Sequence, residues 1–444
     1  MNKRFTAYTR LMKYKWTKKL SLFYKGLYDK RKRIAYASIL SFIILIVSYI
    51  LSNWNFALTG ESLSLRLIEA GKALFNRYIL KKDYYENDST LLSKFTFIDV
   101  ENDNALIDSV YVDDVLAGNA AIPDREKLYE FLKCAEGTGY RYIIVDVDLS
   151  DDYSTLYNDS LFNLISKMPR VIVAGDFNNE HPINSRIKNK AYWVHYGVNF
   201  INSDMLKYPL IYNNRSSVPY KVYQDLNDSI NQSVDKTQLN KVFGFLYFEG
   251  SYLSLKNIYP KMYLREDYKN KSEVFNQITS EPIYVKLGED ILTPMNEDPV
   301  YEKDYIIETY IEDKIIIIGT FVGDSDVHST YCGSTHGAMI ISNSIISLLN
   351  ENHHISFWAS IILYIFFYYI SYFILYGNQT LKTNNKIKLI TIVWTNYTIS
   401  LLVVCSIIFI LFSRVYDVLF TSTFLSLIDI PIRLIRKYKN KKYA

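Results

Sequence analysis

Between Gly319 and Gly337 the chain reads GTFVGDSDVHSTYCGSTHG, placing two aspartates, two histidines, a cysteine and four glycines directly after the apolar run KIIII. Carboxylates joined by a histidine are ligands for hard or borderline cations, and such a set also serves metal-assisted hydrolysis. Further acids stand at the ends of other short apolar runs. Asp99 and Glu101 follow FTFI, Asp146 and Asp148 follow YIIV, and Asp176 follows VIVAG, while Asp324, Asp326 and His328 lie in the stretch itself. If these runs are strands of one parallel sheet, their carboxyl ends share an edge, which is where ligand crevices form. A second reading stands beside this one, because strand-terminal Asp routinely caps the next helix or satisfies a turn backbone. The chain carries no H-E-x-x-H, G-x-S-x-G, Walker loop or paired C-x-x-C, so catalysis has no motif behind it.

The glycines suggest tight backbone: Gly319 ends a buried strand, Gly323 and Gly333 permit turns, and Gly337 lets a helix start close to the sheet. His336, beside that helix start, reads as a surface or capping residue. Cys332 and Cys134 are two cysteines without a framework, and Cys134 also suits a small apolar position on a helix face; Cys405 lies inside an apolar run.

The elements that must position these residues alternate. Residues 62–75 read as an amphipathic helix, 95–100 as a strand, 124–139 as a helix with an acidic start and a glycine stop, and 140–149 as a strand. A helix over 154–168, a strand over 170–177, the strand KIIIIGT and a helix over 337–352 complete the pattern. Strand, helix, strand, helix, strand predicts an α/β domain with a mostly parallel sheet and flanking helices. Residues from about 218 to 300 are less regular. VFGFLYFEGSYLSL resembles strands and DLNDSINQSVDKTQLNK a loop or short helix, either as an insertion over a sheet edge or as a second lobe.

Charge and hydropathy frame this domain with membrane helices. Net charge is +4, but residues 1–33 carry twelve Lys or Arg against Asp29 alone, and 433–444 carry six with no acid. Basic ends could be nucleic-acid arms, yet each adjoins a long apolar run, which favours a membrane and no nucleic acid. Residues 34–54 hold no charge and span a bilayer core as a helix. The thirty-three residues before them and the bulky NWNF after them predict an uncleaved anchor rather than a signal peptide. Residues 355–377 and 389–412 are each long enough to cross, and 415–432 forms a third C-terminal span with Asp417, Asp429 and Pro431 near its ends. Tyrosines around the second span, with Trp54 and Trp358, suit the interface. The positive-inside rule then puts the basic arm (1–33), the link bearing Lys382, Lys386 and Lys388, and the basic tail (433–444) in the cytoplasm. Four spans result, one N-terminal and three C-terminal, with residues 55–354 outside.

FTFIDVENDNAL, DREKLYEFLKCAEGTGYRYIIVDVDL with NDSLFNLI behind it, and DKIIIIGTFVGDSDVHSTYCGSTHGAMIISN, in that order, resemble the second type of CHASE domain. The resemblance covers about Ser62 to Asn352 and extends to the four-span layout. It implies an extracytoplasmic sensor of a bacterial cytoplasmic-membrane receptor. Asp99, Arg125, Asp146, Asp159, Gly319, Asp326, His328, Thr330, Gly333 and Gly337 match positions of that pattern. The resemblance implies a place for a ligand and not its chemistry. The candidate ligand-binding set is therefore Asp99, Arg125, Asp146, Asp148, Asp176, Asp324, Asp326 and His328, with a divalent cation the one cofactor to weigh.

Family members commonly continue into an output module, whereas this sequence ends about a dozen residues after the last span. The expectation is a non-catalytic sensor that relays an envelope signal to a separate membrane or cytoplasmic signalling protein, with a homodimer allowed. An envelope scaffold or complex subunit is the alternative, and an extracytoplasmic metal enzyme a third.

Overall fold

The computed structural model describes residues 30–53, 65–66, 92–112, 115–150, 155–175, 183–194, 197–198, 205–212, 215–230, 240–242, 246–249, 252–261, 284–299, 301–331, 333–351, 353–376, 386–412 and 418–443. Asp176, Cys332, most of 62–75 and most of the basic arm lie outside them. The chain divides into two compact units, 54–354 and a second made of 1–53 with 355–444.

In the first unit the apolar runs form strands β1 (Phe95–Asp99), β4 (Tyr142–Val145), β5 (Val171–Gly175), β6 (Ala191–Trp193), β8 (Tyr284–Lys286) and β9 (Ile315–Gly319). They pair as one parallel sheet in the order β8-β1-β9-β4-β5-β6. The late strand β9 is thus inserted between β1 and β4. Side chains alternate faces along each strand. Ile98, Ile143, Val145, Val171, Val173, Ile316 and Ile318 face one core, while Phe95, Phe97, Tyr142, Ile144, Ile172, Ile315 and Ile317 face the other. Both faces are covered, so the inner strands β1, β9, β4 and β5 are buried along their length and read as largely apolar runs.

Helices α2 (Arg125–Ala135) and α3 (Asn158–Lys167) cover the first face. Asp124 accepts from the Glu126 and Lys127 amides to cap α2, and Gly137, at φ 80°, follows its end, as the acidic start and glycine stop predict. Helices α4 (Val218–Ile230) and α5 (Gly337–Leu349) cover the second face. Helix α5 is buried all round from Gly337 to Leu348, including Ser342, Asn343, Ser344 and Ser347. The Ser342 and Ser344 hydroxyls donate to the Ala338 and Ile340 carbonyls, which lets polar residues sit in the core.

Three features were not legible as such. Residues β2 (Asn104–Val112) and β3 (Val115–Pro123) form a long antiparallel hairpin. Residues 218–230 are helix α4, so the unplaced middle supplies part of the sheet's cover, and 284–286 supplies its edge strand. The glycine-rich stretch is a hairpin as well. β10 (Val327–Thr330) pairs with β11 (Gly333–His336), and through Thr330 it joins β7 (Met205–Pro209) in a second, mixed sheet. Strands within Val242–Leu255 are found, as a three-stranded antiparallel meander of 240–242, 246–249 and 252–254.

The second unit contains α1 (Lys30–Ser52), α6 (Phe357–Tyr376), α7 (Lys386–Phe412) and α8 (Val418–Tyr443). Among the described residues two helices are long and apolar enough to cross a membrane, 31–51 and 357–376; within α7 the stretch 395–408 is a shorter apolar one. α8 continues through the basic tail, so 433–444 is not a segment separate from the last helix. Asp429, expected near an interface, is 1% exposed. It accepts from Tyr397 Oη of α7 at 2.7 Å and from Arg433 Nε one turn on at 2.6 Å, which neutralises the acid and ties the two helices together.

Candidate functional site

A pocket of about 730 Å³ opens at the carboxyl edge of the parallel sheet, where strand-end acids were expected to gather. Its polar lining includes Glu101, Asp146, Asp148, Ser325, Asp326 and His328. Its apolar wall comes from β5, from Val147 and Leu149 after β4, and from Ile340 and Ile341 of α5. The first turn of α5 enters the pocket at Gly337.

Asp146 immediately follows β4 and continues the parity of Tyr142 and Ile144, so it falls on the α4/α5 side of the sheet. It retains some exposure into the pocket while protein encloses it on its other sides. Burial pushes its carboxyl up to about 8, and the neighbouring Asp326 carboxylate adds to the shift.

Asp326 is held by the backbone. It adopts φ 49°, and its carbonyl accepts from the Gly337 amide at 3.0 Å, closing the β10–β11 hairpin. Its carboxylate lies against the Gly337 backbone, so that a Cβ there would come within 2.1 Å of Oδ2. Gly337 therefore makes room for an aspartate. The close approach of helix to sheet occurs at Gly319, where a Cβ would lie 2.8 Å from Ala338 Cβ. Placing an anion at the start of α5 also favours the partial positive charge of a helix N-terminus. Asp326 Oδ1 is 2.9 Å from His328 Nε2, a contact that can fix the tautomer or carry an ion pair when the ring is protonated.

Glu101 reaches across to the same loop and accepts a hydrogen bond from Ser325 Oγ. Gly323, at φ 91°, leaves room for that carboxylate, since a Cβ would meet Glu101 Oε1 at 2.5 Å. Asp148 is exposed and accepts from the Ser150 amide at 2.8 Å, a local turn bond that holds it at the rim.

Other expected members serve the fold. Asp99 is 2% exposed and accepts from the Phe321 amide at 2.7 Å and the Val322 amide at 3.2 Å, anchoring the chain after β9. Burial raises its pKa, and the two amides pull the other way. Arg125 is 1% exposed and donates to Asn158 Oδ1 at 2.6 Å and the Ser150 carbonyl at 3.0 Å, with Phe162 under its guanidinium. It joins α2, α3 and the turn after β4. Asp159 pairs with Arg186 on the surface at 2.5 Å, Asp324 is exposed outside the pocket lining, and Asp176 lies outside the described residues.

His336 corrects an expectation. It is fully buried rather than at the surface, with Nδ1 3.2 Å from the Ser325 carbonyl, and its side chain does not cap α5. No alternation in the hairpin marks it, since Thr335 and His336 are both buried and Val327, opposite His336, is exposed. Cys134 is a buried free thiol whose pKa burial raises, while Cys332 lies outside the described residues. Glu101, named among the strand-end acids, was left out of the candidate set, and the polar lining residues Asn104, Ser150, Tyr208, Thr320 and Ser325 were not anticipated.

Among the described residues no group of three His, Cys, Asp or Glu side chains converges as metal ligands would. Asp326 and His328 engage each other, Glu101 is held by Ser325, and Asp146 stands apart from these bonds. The arrangement is a polar, acidic, partly apolar-walled crevice suited to an organic ligand. No family model, curated protein or solved structure matches the chain.

Proposed function

We propose that the protein is a membrane-anchored receptor whose 54–354 unit binds a small ligand outside the cytoplasm and relays occupancy through its helices to a signalling partner. The observation that carries this reading is the pocket at the sheet's carboxyl edge, entered by the first turn of α5. Helix α5 ends at Leu349 and α6 begins at Phe357, so only a short stretch of chain separates a pocket-lining helix from an apolar one. A ligand that bears on Gly337, Ile340 or Ile341 acts directly on that connection. The motif order resembling the second type of CHASE domain supports the same role, and α7 and α8 would complete four spans.

Topology is tested by a membrane-impermeant maleimide on intact cells. Asn163→Cys, on the exposed side of α3, should label above the unsubstituted chain, and Lys441→Cys should label only after lysis. Labelling of Lys441→Cys in intact cells would remove the four-span layout. Relay is tested by a flexible Gly-Ser segment inserted between Asn352 and Ser356. Partner output should become insensitive to the stimulus while the thermal transition of the protein stays in place. An unchanged response with the insertion, or turnover of a substrate by the purified protein alone, would overturn the relay.

A further inference from the structure

We infer that the pocket's ligand is an organic ammonium cation with an aliphatic body, an amine of the polyamine kind, seated with its charge at Asp146 and its methylenes on the wall of α5 and β5. This inference rests on the receptor reading of the same pocket and names the ligand class.

Among the described residues four carboxylates, Glu101, Asp146, Asp148 and Asp326, line the pocket, and no lysine or arginine does. Acids alone would decide nothing, since three of the four are engaged within the protein. Ser325 holds Glu101, the Ser150 amide holds Asp148, and Asp326 lies between His328 and the start of α5. Asp146 differs. It is enclosed by protein, faces the pocket, and its carboxyl is under the influence of burial and of Asp326 rather than of any hydrogen-bond donor. Part-buried at the pocket wall and accepting no side-chain hydrogen bond among the described residues, this carboxyl keeps acceptor capacity that a ligand's N–H groups would use.

The remaining chemistry selects among donors. The helix N-terminus would attract an anion, but Asp326 already lies against Gly337, so an anionic ligand would meet a carboxylate there. An inorganic divalent cation needs several converging oxygens, and no group of three ligands converges among the described residues. Val147, Leu149, Val173, Ile340 and Ile341 are poor company for a hydrated ion and good company for methylenes. An alkylammonium meets both halves of the lining, with three N–H donors at one end and apolar surface behind.

Proton linkage supplies a signature. An ammonium favours the ionised form of Asp146, so binding should release a proton and tighten as pH rises toward 8, as long as the amine stays protonated. The test is calorimetric titration of the full-length protein in nanodiscs with spermidine, at about pH 6.5 and about pH 8, in buffers of differing ionisation enthalpy. Saturable binding that strengthens about tenfold across that range with proton release is expected. Asp146→Asn should weaken it at least about tenfold at the higher pH and abolish the proton release. Binding of glutamate, glucose or calcium at this pocket in place of spermidine would overturn the ammonium assignment, as would spermidine binding indifferent to both pH and Asp146→Asn. Hydrogen exchange of α6 amides in the same samples separates the two ideas. Spermidine binding that leaves α6 unchanged sinks the relay and spares the ligand class, whereas another ligand that changes α6 does the reverse.

Discussion

Gly319→Val should lower the stability of the 54–354 unit by about 3 kcal/mol and its melting temperature by roughly 10 °C. A Cβ at Gly319 would come 2.8 Å from Ala338 Cβ and 3.2 Å from the Asp146 carbonyl oxygen, and valine adds two methyls beyond it. Neither neighbour can yield cheaply. Asp146 N donates to the Ile318 carbonyl at 2.7 Å, and β9 is hydrogen-bonded between β1 and β4, so the strand is pinned on both sides. Helix α5 is buried all round and has no open side into which to retreat. Gly139→Ala is the matched control, since its Cβ would sit 3.7 Å from Glu312 Cγ, an ordinary contact, and should change stability by less than about 1 kcal/mol. Thermal melts of the full-length variants decide the matter. Should Gly319→Val melt with the parent chain, α5 does not pack on β9 as described.

The same packing explains which parts of the fold could be read in advance. IIII at 315–318 has no alternation, and a strand covered on both faces needs none, so the buried parallel strands and their helices were legible from apolar runs and caps. Strand order was not. β9 lies between β1 and β4 because their faces complete both cores, a tertiary choice that no local pattern records. Helix α4 was obscured for a different reason. Its buried face, Tyr220, Val222, Tyr223 and Leu226, is interrupted by Lys221, Gln224 and Asp225, and two of its anchors are tyrosines that also suit strands.

The rule that strand ends share an edge led to the edge at which the pocket opens and could not sort its acids. Asp99 ends β1 and Asp146 follows β4, the two strands that flank β9, on the same sheet face. What separates them is the chain after β9, whose amides at Phe321 and Val322 reach Asp99 and leave Asp146 to the pocket. Ser325 escaped because its bond to Glu101 depends on that same return of the chain. The capping reading holds for Asp99, Asp148 and Asp124, which accept from backbone amides, whereas Asp146 faces the pocket.

Asp146→Asn should make the protein more stable, by an amount that grows with pH. In the folded chain the Asp146 carboxyl titrates at about 8, whereas in the unfolded chain it returns to about 4. Between those values the folded state holds a proton that the unfolded state has lost. Stability of the parent protein must then fall as pH rises through the window, by at most about 1.4 kcal/mol per pH unit, and level off above the folded value. Asparagine resembles the protonated acid and carries no such slope. The two proteins should match near pH 4 and differ by about 3 kcal/mol at pH 8, a figure reduced from the full linkage because one side of Asp146 faces the pocket. Urea unfolding of both full-length proteins at several pH values reads the difference directly. Equal stabilities at pH 4 and pH 8 would mean that the carboxyl is solvated and ordinary. A gap that opens with pH would identify a residue kept at the expense of stability, which is the usual mark of a group retained for what it binds.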